Sequence, residues 1–201
     1  MLEKSYIHNI VEAGVDEAGR GPLAGSVFAA AVILPQDFEC DLLNDSKQLT
    51  EHQRTTLRPI IEKNALCWAV AQTTAEEIDQ INILNASILA MHRALAKLNM
   101  QPEHIIVDGN RFKPYISPET GMAIPYQTIV KGDGKYMSIA AASVLAKTYR
   151  DDYMKQLHEQ YPMYGWNKNM GYPTKQHRSA VIEFGLSPYH RKTFTFKTND
   201  L

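Results

Sequence analysis

The 201-residue sequence predicts an α/β protein in which a mixed sheet is flanked by helices, with a helical extension at the C-terminus. Strand-like runs rich in alanine and β-branched residues come first, at 10–16, 25–34 and 67–73, with Gly or Pro near their boundaries. Helical and strand-like segments then alternate through the middle of the chain, and the final third has helical patterns. This order of segments predicts a mixed sheet covered by helices.

Two helix-start signals lie in the first half of the chain. Thr50-x-x-Gln53 is a capping box that opens a helix over 50–63, and Thr74-x-x-Glu77 opens a short helix in the same way. Beyond the second box, apolar residues recur at helical spacing. They predict a helix with one apolar stripe, formed by Leu84, Ile88, Met91, Leu95 and Leu98.

In the second half, helices and strands alternate before the helical end of the chain. Short strands are predicted at 105–108 and 126–130, a long helix over 136–160, and a last helix over 173–184 that ends at Gly185. If the first strand and the strand at 105–108 are parallel neighbours, their carboxyl ends meet at one edge of the sheet. Ligand sites of open α/β sheets form at that edge.

Composition argues against a membrane-spanning or disulfide-stabilised protein. The longest apolar stretch, 27–34, is far too short to span a bilayer, and the first six residues show no signal-peptide pattern. Cys40 and Cys67 alone give no disulfide framework. We therefore expect a cytoplasmic protein with no membrane association. One domain spanning 1–201 is long enough to bury a substantial core.

Charge is distributed unevenly although the net charge is only −1. Residues 1–100 carry 8 Lys and Arg against 13 Asp and Glu, whereas residues 101–201 carry 13 against 9. The C-terminal segment, about 160–201, is basic and rich in aromatic residues. Basic groups contact phosphates and aromatic rings stack on bases or sugars, so this segment is a candidate nucleic-acid surface. The alternative is a solvated basic helix whose aromatic residues pack inward.

Four carboxylates lie at the ends of predicted elements: Asp16, Glu17, Asp108 and Asp133. Two adjacent carboxylates ~5 Å apart repel each other by roughly 3 kcal/mol at an effective dielectric of ~20, so a shared site needs a cation. Mg²⁺ and Mn²⁺ prefer carboxylate oxygens. Acids contributed by several different elements are typical of a metal-assisted phosphoryl-transfer site.

Each acid also has an ordinary explanation. An isolated Asp-Glu pair at a strand end is usually solvated, and Asp108-Gly109 is a common turn. Asp133 is suited to a helix N-cap or a turn. The Gly-Asp-Gly-Lys sequence at 132–135 lacks the spacing of a phosphate-binding P-loop. The combination of the four acids favours a metal site.

Several motifs, in their order along the chain, closely resemble the prokaryotic ribonuclease HII family over about residues 10–195. They are Asp-Glu-Ala-Gly-Arg-Gly-Pro at 16–22, Asp-Ser-Lys at 45–47, Val-Asp-Gly at 107–109, Lys-Gly-Asp at 131–133, the run 138–147, Gly-Tyr-Pro-Thr at 171–174 with His177, and His190-Arg191. The resemblance implies a ribonuclease H-like fold. One departure is a longer segment at 111–126, which contains three prolines and is expected to be a hairpin or a loop.

This resemblance implies a metal-dependent endonuclease that hydrolyses the RNA strand of RNA–DNA hybrids. It also implies cleavage 5′ of ribonucleotides embedded in duplex DNA, with 3′-hydroxyl and 5′-phosphate ends, and a role in removing ribonucleotides during replication and repair. Two ions, Mn²⁺ or Mg²⁺, would be held by the four catalytic acids Asp16, Glu17, Asp108 and Asp133. The substrate-binding residues would be Gly19, Arg20, Gly21, Lys47 and Tyr172.

In the family, the Gly-Arg-Gly loop reads the ribose 2′-hydroxyl and the tyrosine stacks near the RNA–DNA junction. Gly19 and Gly21 lack Cβ atoms and are therefore expected to let the backbone approach a ribose. Lys47 and Lys147 are candidate phosphate contacts. His177 and Arg191 also follow the family pattern. The sequence leaves open whether their roles are structural or catalytic.

The sequence leaves two alternative functions open. One is a related metal-dependent exonuclease or polynucleotidyl transferase with the same four carboxylates, and the other is a nucleic-acid-binding module that has lost catalysis. We expect a monomer that binds RNA–DNA hybrid and ribonucleotide-containing DNA duplex. A sliding clamp is a candidate partner, although residues 193–201 contain no clear clamp-binding motif.

Overall fold

The computed structural model describes residues 2–43 and 48–195. Its five strands are β1 (Glu12–Ala18), β2 (Val27–Ile33), β3 (Cys67–Thr73), β4 (His104–Asp108) and β5 (Tyr126–Ile129). They form one sheet in the order β3-β2-β1-β4-β5. The β1–β2 and β2–β3 pairs are antiparallel, and the β1–β4 and β4–β5 pairs are parallel. The predicted mixed sheet and the parallel β1–β4 pair are therefore confirmed.

The helices are α1 (Glu51–Asn64), α2 (Ala75–Ala96), α3 (Met137–Gln160), α4 (Trp166–Asn169) and α5 (Lys175–Phe184). Both predicted capping boxes are present, because the Thr50 and Thr74 hydroxyls each accept a backbone N–H three residues on at 3.2 Å. Asn82 interrupts α2 with φ of 65°, which matches the two predicted helical segments. No helix in the described ranges is long and apolar enough to cross a membrane.

The two faces of the sheet pack against different helices. Alternate β1 residues, Ala13 and Val15, join the core under α2, while α1 and α3 cover the opposite face. Gly14 lies directly against the α3 backbone at Ser138 and Ile139, where a Cβ atom would collide. The small residues of α3 at 140–142 are completely buried. They let α3 lie close to the sheet.

The outer strand β3 is covered along its edge by two basic side chains, one in the last turn of α2 and one at its C-cap. Arg93 Nη1 donates to the Gln72 carbonyl at 3.1 Å, and Lys97 Nζ donates to the Val70 carbonyl at 3.3 Å. Leu84, which was predicted to belong to the apolar stripe of α2, is 36% exposed instead. It lies two residues after the break in α2 at Asn82.

The segment at 111–126 is a loop closed by a bridge between Ile116 and Ala123. Tyr115 and Ile124 from this loop are buried in the core under α2. The predicted insertion therefore contributes to packing on the α2 face and does not disturb the sheet.

Most aromatic residues of the basic C-terminal segment pack inward. Tyr164 and Trp166 are buried with Met154 and Leu157 of α3. The expectation that the aromatic residues of this segment form a stacking surface is therefore wrong for Tyr164 and Trp166. Tyr172, in contrast, is 46% exposed. The end of the segment, at 196–201, lies outside the described residues.

Candidate active site

The parallel pairing of β1 and β4 brings two of the predicted acids together. Val15 is in register with Val107, so Asp16 and Asp108 follow at the carboxyl ends of neighbouring strands. Asp133 lies on a single 3₁₀ turn, Gly132–Gly134, just before α3. One carboxylate oxygen from each of the three aspartates lies within 4.8 Å of the other two. The structure thus assembles three acids from three separate elements.

Hydrogen bonds fix this acidic cluster. Asp16 is buried, and its Oδ1 accepts the Glu17 backbone N–H at 2.7 Å. The Ser143 side chain of α3 also hydrogen-bonds to Asp16. Asp108 Oδ1 accepts the Gly132 N–H at 2.7 Å, which ties the end of β4 to the turn that carries Asp133.

The cluster is electrostatically strained without a cation. Burial raises the pKa of Asp16 well above its ordinary value, and the nearby carboxylates of Glu17 and Asp108 raise it further. A divalent ion would compensate these charges, and a donor set made only of carboxylate oxygens suits Mg²⁺ or Mn²⁺. The chemistry of the three aspartates therefore fits the predicted metals.

Glu17 lies beside this cluster but is not one of the three grouped acids. Its Oε1 is 3.2 Å from Arg20 Nη1, and the two side chains form an ion pair. A small pocket near the break in α2 is lined by Glu17, Arg20, Asp108 and Arg111, among others. The predicted fourth acid is thus close enough to repel Asp16, and its carboxylate is held by Arg20.

The Gly-Arg-Gly loop begins directly after β1. Gly19 has a φ of 97°, and the guanidinium of Arg150 fills the space that a Cβ atom would occupy. Gly19 therefore makes room for a buried arginine beneath the loop, and its expected approach to a ribose stays a prediction. At Gly21, a Cβ atom would lie 3.6 Å from the Tyr172 ring. The loop and the predicted stacking tyrosine therefore face each other.

Two buried arginines support this loop from below. Arg191 donates to the carbonyls of Gly19 at 2.6 Å and Arg20 at 2.8 Å. Arg150 donates to the carbonyls of Ala24 at 3.3 Å and Met170 at 3.0 Å. Burial, with the nearby Arg150 charge, lowers the pKa of Arg191 to about 9. These contacts support a structural role for Arg191, because its guanidinium donates to backbone carbonyls of the loop.

His177 supports Tyr172 in a comparable way. It is fully buried, and its Nδ1 lies 2.9 Å from the Tyr172 carbonyl oxygen. Its Nε2 accepts the Trp166 indole N–H at 3.0 Å and lies 3.1 Å from His190 Nε2. When His177 is protonated on Nδ1, that atom donates to the Tyr172 carbonyl, and the single lone pair of Nε2 faces both the Trp166 N–H and His190 Nε2. Within the described residues, His177 therefore has a structural position behind the tyrosine.

The two predicted phosphate-contacting lysines differ in outcome. Lys147 Nζ lies 2.6 Å from Asp151 Oδ2, and burial lowers the pKa of Lys147. Its charge is thus already paired within α3. Lys47 lies outside the described residues, so its position stays a prediction.

Arg150 is the supporting residue that sequence reasoning missed. It follows Ala146 by four residues and Ser143 by seven, so it lies on the buried face of α3. A charged residue on an otherwise apolar helical stripe is the signal that could have found it.

Solved structures share this architecture. The ribonuclease H2 of Pyrococcus horikoshii OT3 superposes with a TM-score of 0.75 at 28% identity, covering 91% of this chain and 93% of that one. The ribonuclease HII in a PCNA complex from Archaeoglobus fulgidus gives 0.75 at 25% identity, covering 96% and 100%. The sheet, the helices and the acidic cluster define the class: a nuclease with a ribonuclease H-like fold and an acidic site suited to divalent metal.

Sequence comparison narrows this class to one family. The family model described as ribonuclease HII matches residues 13–198. The ribonuclease HII of Phocaeicola vulgatus is 64% identical over 192 residues, which are 96% of this chain and 92% of that relative. The chain belongs to the ribonuclease HII family, and it is an endonuclease of RNA–DNA hybrids.

Proposed function

We propose that this endonuclease cuts the RNA strand of hybrids and also cuts on the 5′ side of single ribonucleotides embedded in duplex DNA. The products carry 3′-hydroxyl and 5′-phosphate ends, and the reaction removes ribonucleotides during replication and repair in the cytoplasm. The observation that carries the proposal is the Asp16, Asp108 and Asp133 cluster at the start of a loop that faces an exposed tyrosine.

The four acids are proposed as the catalytic groups. Asp16, Asp108 and Asp133 would hold two divalent ions, and the nearby Glu17 would complete the ligand set. When bound, Mg²⁺ or Mn²⁺ activates a water and stabilises the leaving 3′ oxygen. An Asn in place of any of the three aspartates would have a neutral amide, which lacks the charge needed to hold such ions.

The Gly-Arg-Gly loop and Tyr172 are proposed to recognise the RNA–DNA junction. The loop backbone hydrogen-bonds to a 2′-hydroxyl, while the Tyr172 ring packs on the next sugar, where that hydroxyl is absent. Arg20 is half exposed and grips phosphate. Lys47 is proposed as a further phosphate contact.

The partners proposed are RNA–DNA hybrid and ribonucleotide-containing DNA duplex, bound by a monomer. An archaeal relative has been solved in complex with PCNA. A sliding clamp therefore stays a candidate partner for this chain.

Cleavage mapping tests the proposal directly. We expect a labelled duplex with one ribonucleotide to be cut on its 5′ side in Mn²⁺ or Mg²⁺, giving an end that a DNA polymerase extends. Asp108→Asn and an all-DNA duplex are the matched controls, and neither should give cleavage. Cutting on the 3′ side, or equal cutting of the all-DNA duplex, would contradict the proposed specificity.

A further inference from the structure

A short N-terminal arm, residues 3–7, runs past the start of α3. The Glu3 N–H donates to the Lys135 carbonyl at 2.7 Å, and the Glu3 carbonyl accepts the Met137 N–H at 2.9 Å. These two bonds form a parallel bridge between Glu3 and Tyr136. The arm is therefore hydrogen-bonded to the backbone on both sides of residue 136.

The bond from Met137 completes the N-terminus of α3. The first N–H groups of a helix have no partner within the helix, and a side chain at the N-cap usually supplies one. Tyr136 occupies the N-cap position and makes no such side-chain bond. The Glu3 carbonyl takes this role from a distant part of the chain.

The backbone held by the arm is the same one that presents Asp133. Both Lys135 and Tyr136 donate their N–H groups to the Gly132 carbonyl at 2.9 Å, which closes the turn around Asp133. Asp108 holds this turn on one side through the Gly132 N–H. The arm holds it on the other side through Lys135, two residues after Asp133.

The arm is itself anchored by a buried carboxylate. Glu12 accepts the N–H groups of Tyr6 at 2.8 Å and Ile7 at 3.1 Å, and its Oε2 lies 3.0 Å from His104 Nδ1. The Tyr6 ring stacks on His104 with an interplanar angle of 9°. Glu12 and His104 are both nearly fully buried, so this anchor is part of the sheet.

We propose that the N-terminal arm positions Asp133 for metal binding, with Glu3 and Glu12 as positioning residues. The Glu3 backbone holds the Asp133 turn through Lys135, and the Glu12 carboxylate holds the arm through Tyr6 and Ile7. The inference rests on the proposed role of Asp133 as a metal ligand.

Substitution of Glu3 separates the backbone contact from the side chain. Glu3→Pro removes the N–H that bonds to Lys135, whereas Glu3→Ala keeps both backbone bonds and is the matched control. Supporting residues around a metal site typically change metal affinity by ~10–100-fold. We expect the Mn²⁺ dissociation constant, measured by calorimetry, to rise about 10-fold in Glu3→Pro and to stay near wild type in Glu3→Ala. Amide exchange at Met137 should speed up only in Glu3→Pro.

Two further variants keep the outcomes distinct. Asp133→Asn should weaken Mn²⁺ binding, and wild-type affinity in that variant would overturn the metal role of Asp133 rather than the arm. Normal Mn²⁺ affinity in Glu3→Pro, with impaired affinity in Asp133→Asn, would overturn the proposed role of the arm.

Glu12→Gln loosens the arm at its anchored end. It should also weaken Mn²⁺ binding, while the circular dichroism spectrum stays normal. If Glu3→Pro fails to fold, an unchanged Mn²⁺ affinity in Glu12→Gln would refute the proposal.

Discussion

Asp16 destabilises the metal-free protein and is also a proposed ligand of the metal. Its carboxylate is buried beside Asp108, and the burial and the neighbouring charges raise its pKa. In the metal-free protein the charged form is therefore destabilised. A bound divalent cation would remove this cost, because the same charges that repel one another attract the ion.

Replacing Asp16 or Asp108 by Asn should reduce cleavage to background while hybrid binding persists. The amide is similar in shape to the carboxylate but removes a charge that a metal would need. Repulsion is also relieved, so the melting temperature without metal should hold or rise. Cleavage assays, fluorescence anisotropy and thermal melts measure these three quantities. Near-normal turnover in Mg²⁺ for either variant would contradict the assignment of these acids.

Tyr172 should control selectivity for the junction rather than overall activity. Its ring is half exposed and faces Gly21, so Tyr172→Ala opens the side of the loop where the second sugar would pack. Stacking is worth ~1–3 kcal/mol, so cleavage at a single ribonucleotide should fall about 10- to 100-fold. Cleavage within a long hybrid should fall less.

Tyr172→Phe, which keeps the ring, should retain most of this selectivity. If Tyr172→Ala loses activity equally on both substrates and its melting temperature clearly drops, the role of Tyr172 is core packing rather than recognition of the junction.

At the scale of secondary structure, local patterns predicted most elements. Both capping boxes, the β1 and β4 strands and the long α3 helix follow from short-range sequence periodicity. The 3₁₀ turn of Asp133 and the four-residue α4 are too short to leave a periodic pattern. Arg150 and Arg191 bond to carbonyls more than 120 residues away, at Ala24 and Arg20. A local pattern can mark Arg150 as a charge on a buried helix face, but it cannot predict these distant partners.

The buried histidine pair should make stability depend on pH. Burial lowers the pKa of His177, and burial together with His177 lowers the pKa of His190 to about 4. An unfolded histidine titrates near ~6.5, so the unfolded chain binds more protons below that pH. The stabilisation is therefore present above pH ~6.5 and is lost as the pH falls toward about 4.

We expect His190→Gln, which does not titrate, to lower the melting temperature at pH 7 and to flatten its decline between pH 7 and pH 5. Each kcal/mol corresponds to roughly 2–4 °C for a chain of this size. Exposed His52→Gln is the matched control and should leave the decline unchanged. An equally steep decline in His190→Gln would show that other groups cause it.

At the scale of the whole molecule, charge separates the acidic site from the basic C-terminal segment. Of the basic residues described there, Arg191 is buried, while Lys168, Lys175 and Lys192 are exposed. Composition predicted this asymmetry between the two halves. It could not predict which cations face solvent, because that depends on how α4 and α5 pack on α3.

Binding to hybrid duplex should weaken steeply with salt. Three phosphate contacts by these lysines predict that log K falls with log salt at a slope of roughly −2 to −3. Lys175→Ala should reduce the magnitude of this slope by about 1. Fluorescence anisotropy titrations at roughly 50 to 300 mM salt measure the slope. An affinity that does not change with salt would mean that this segment contacts no phosphate.

The covered edge of β3 also bears on how the protein behaves at high concentration. An outer strand with free carbonyls is a template for pairing with another chain, and such pairing is a route to aggregation. Arg93, which is also paired with Glu77, donates to the Gln72 carbonyl, and Lys97 donates to the Val70 carbonyl, so two cationic side chains lie along this edge. A second chain approaching β3 would have to displace both cations before forming a ladder. The edge is thereby shielded against intermolecular sheet growth.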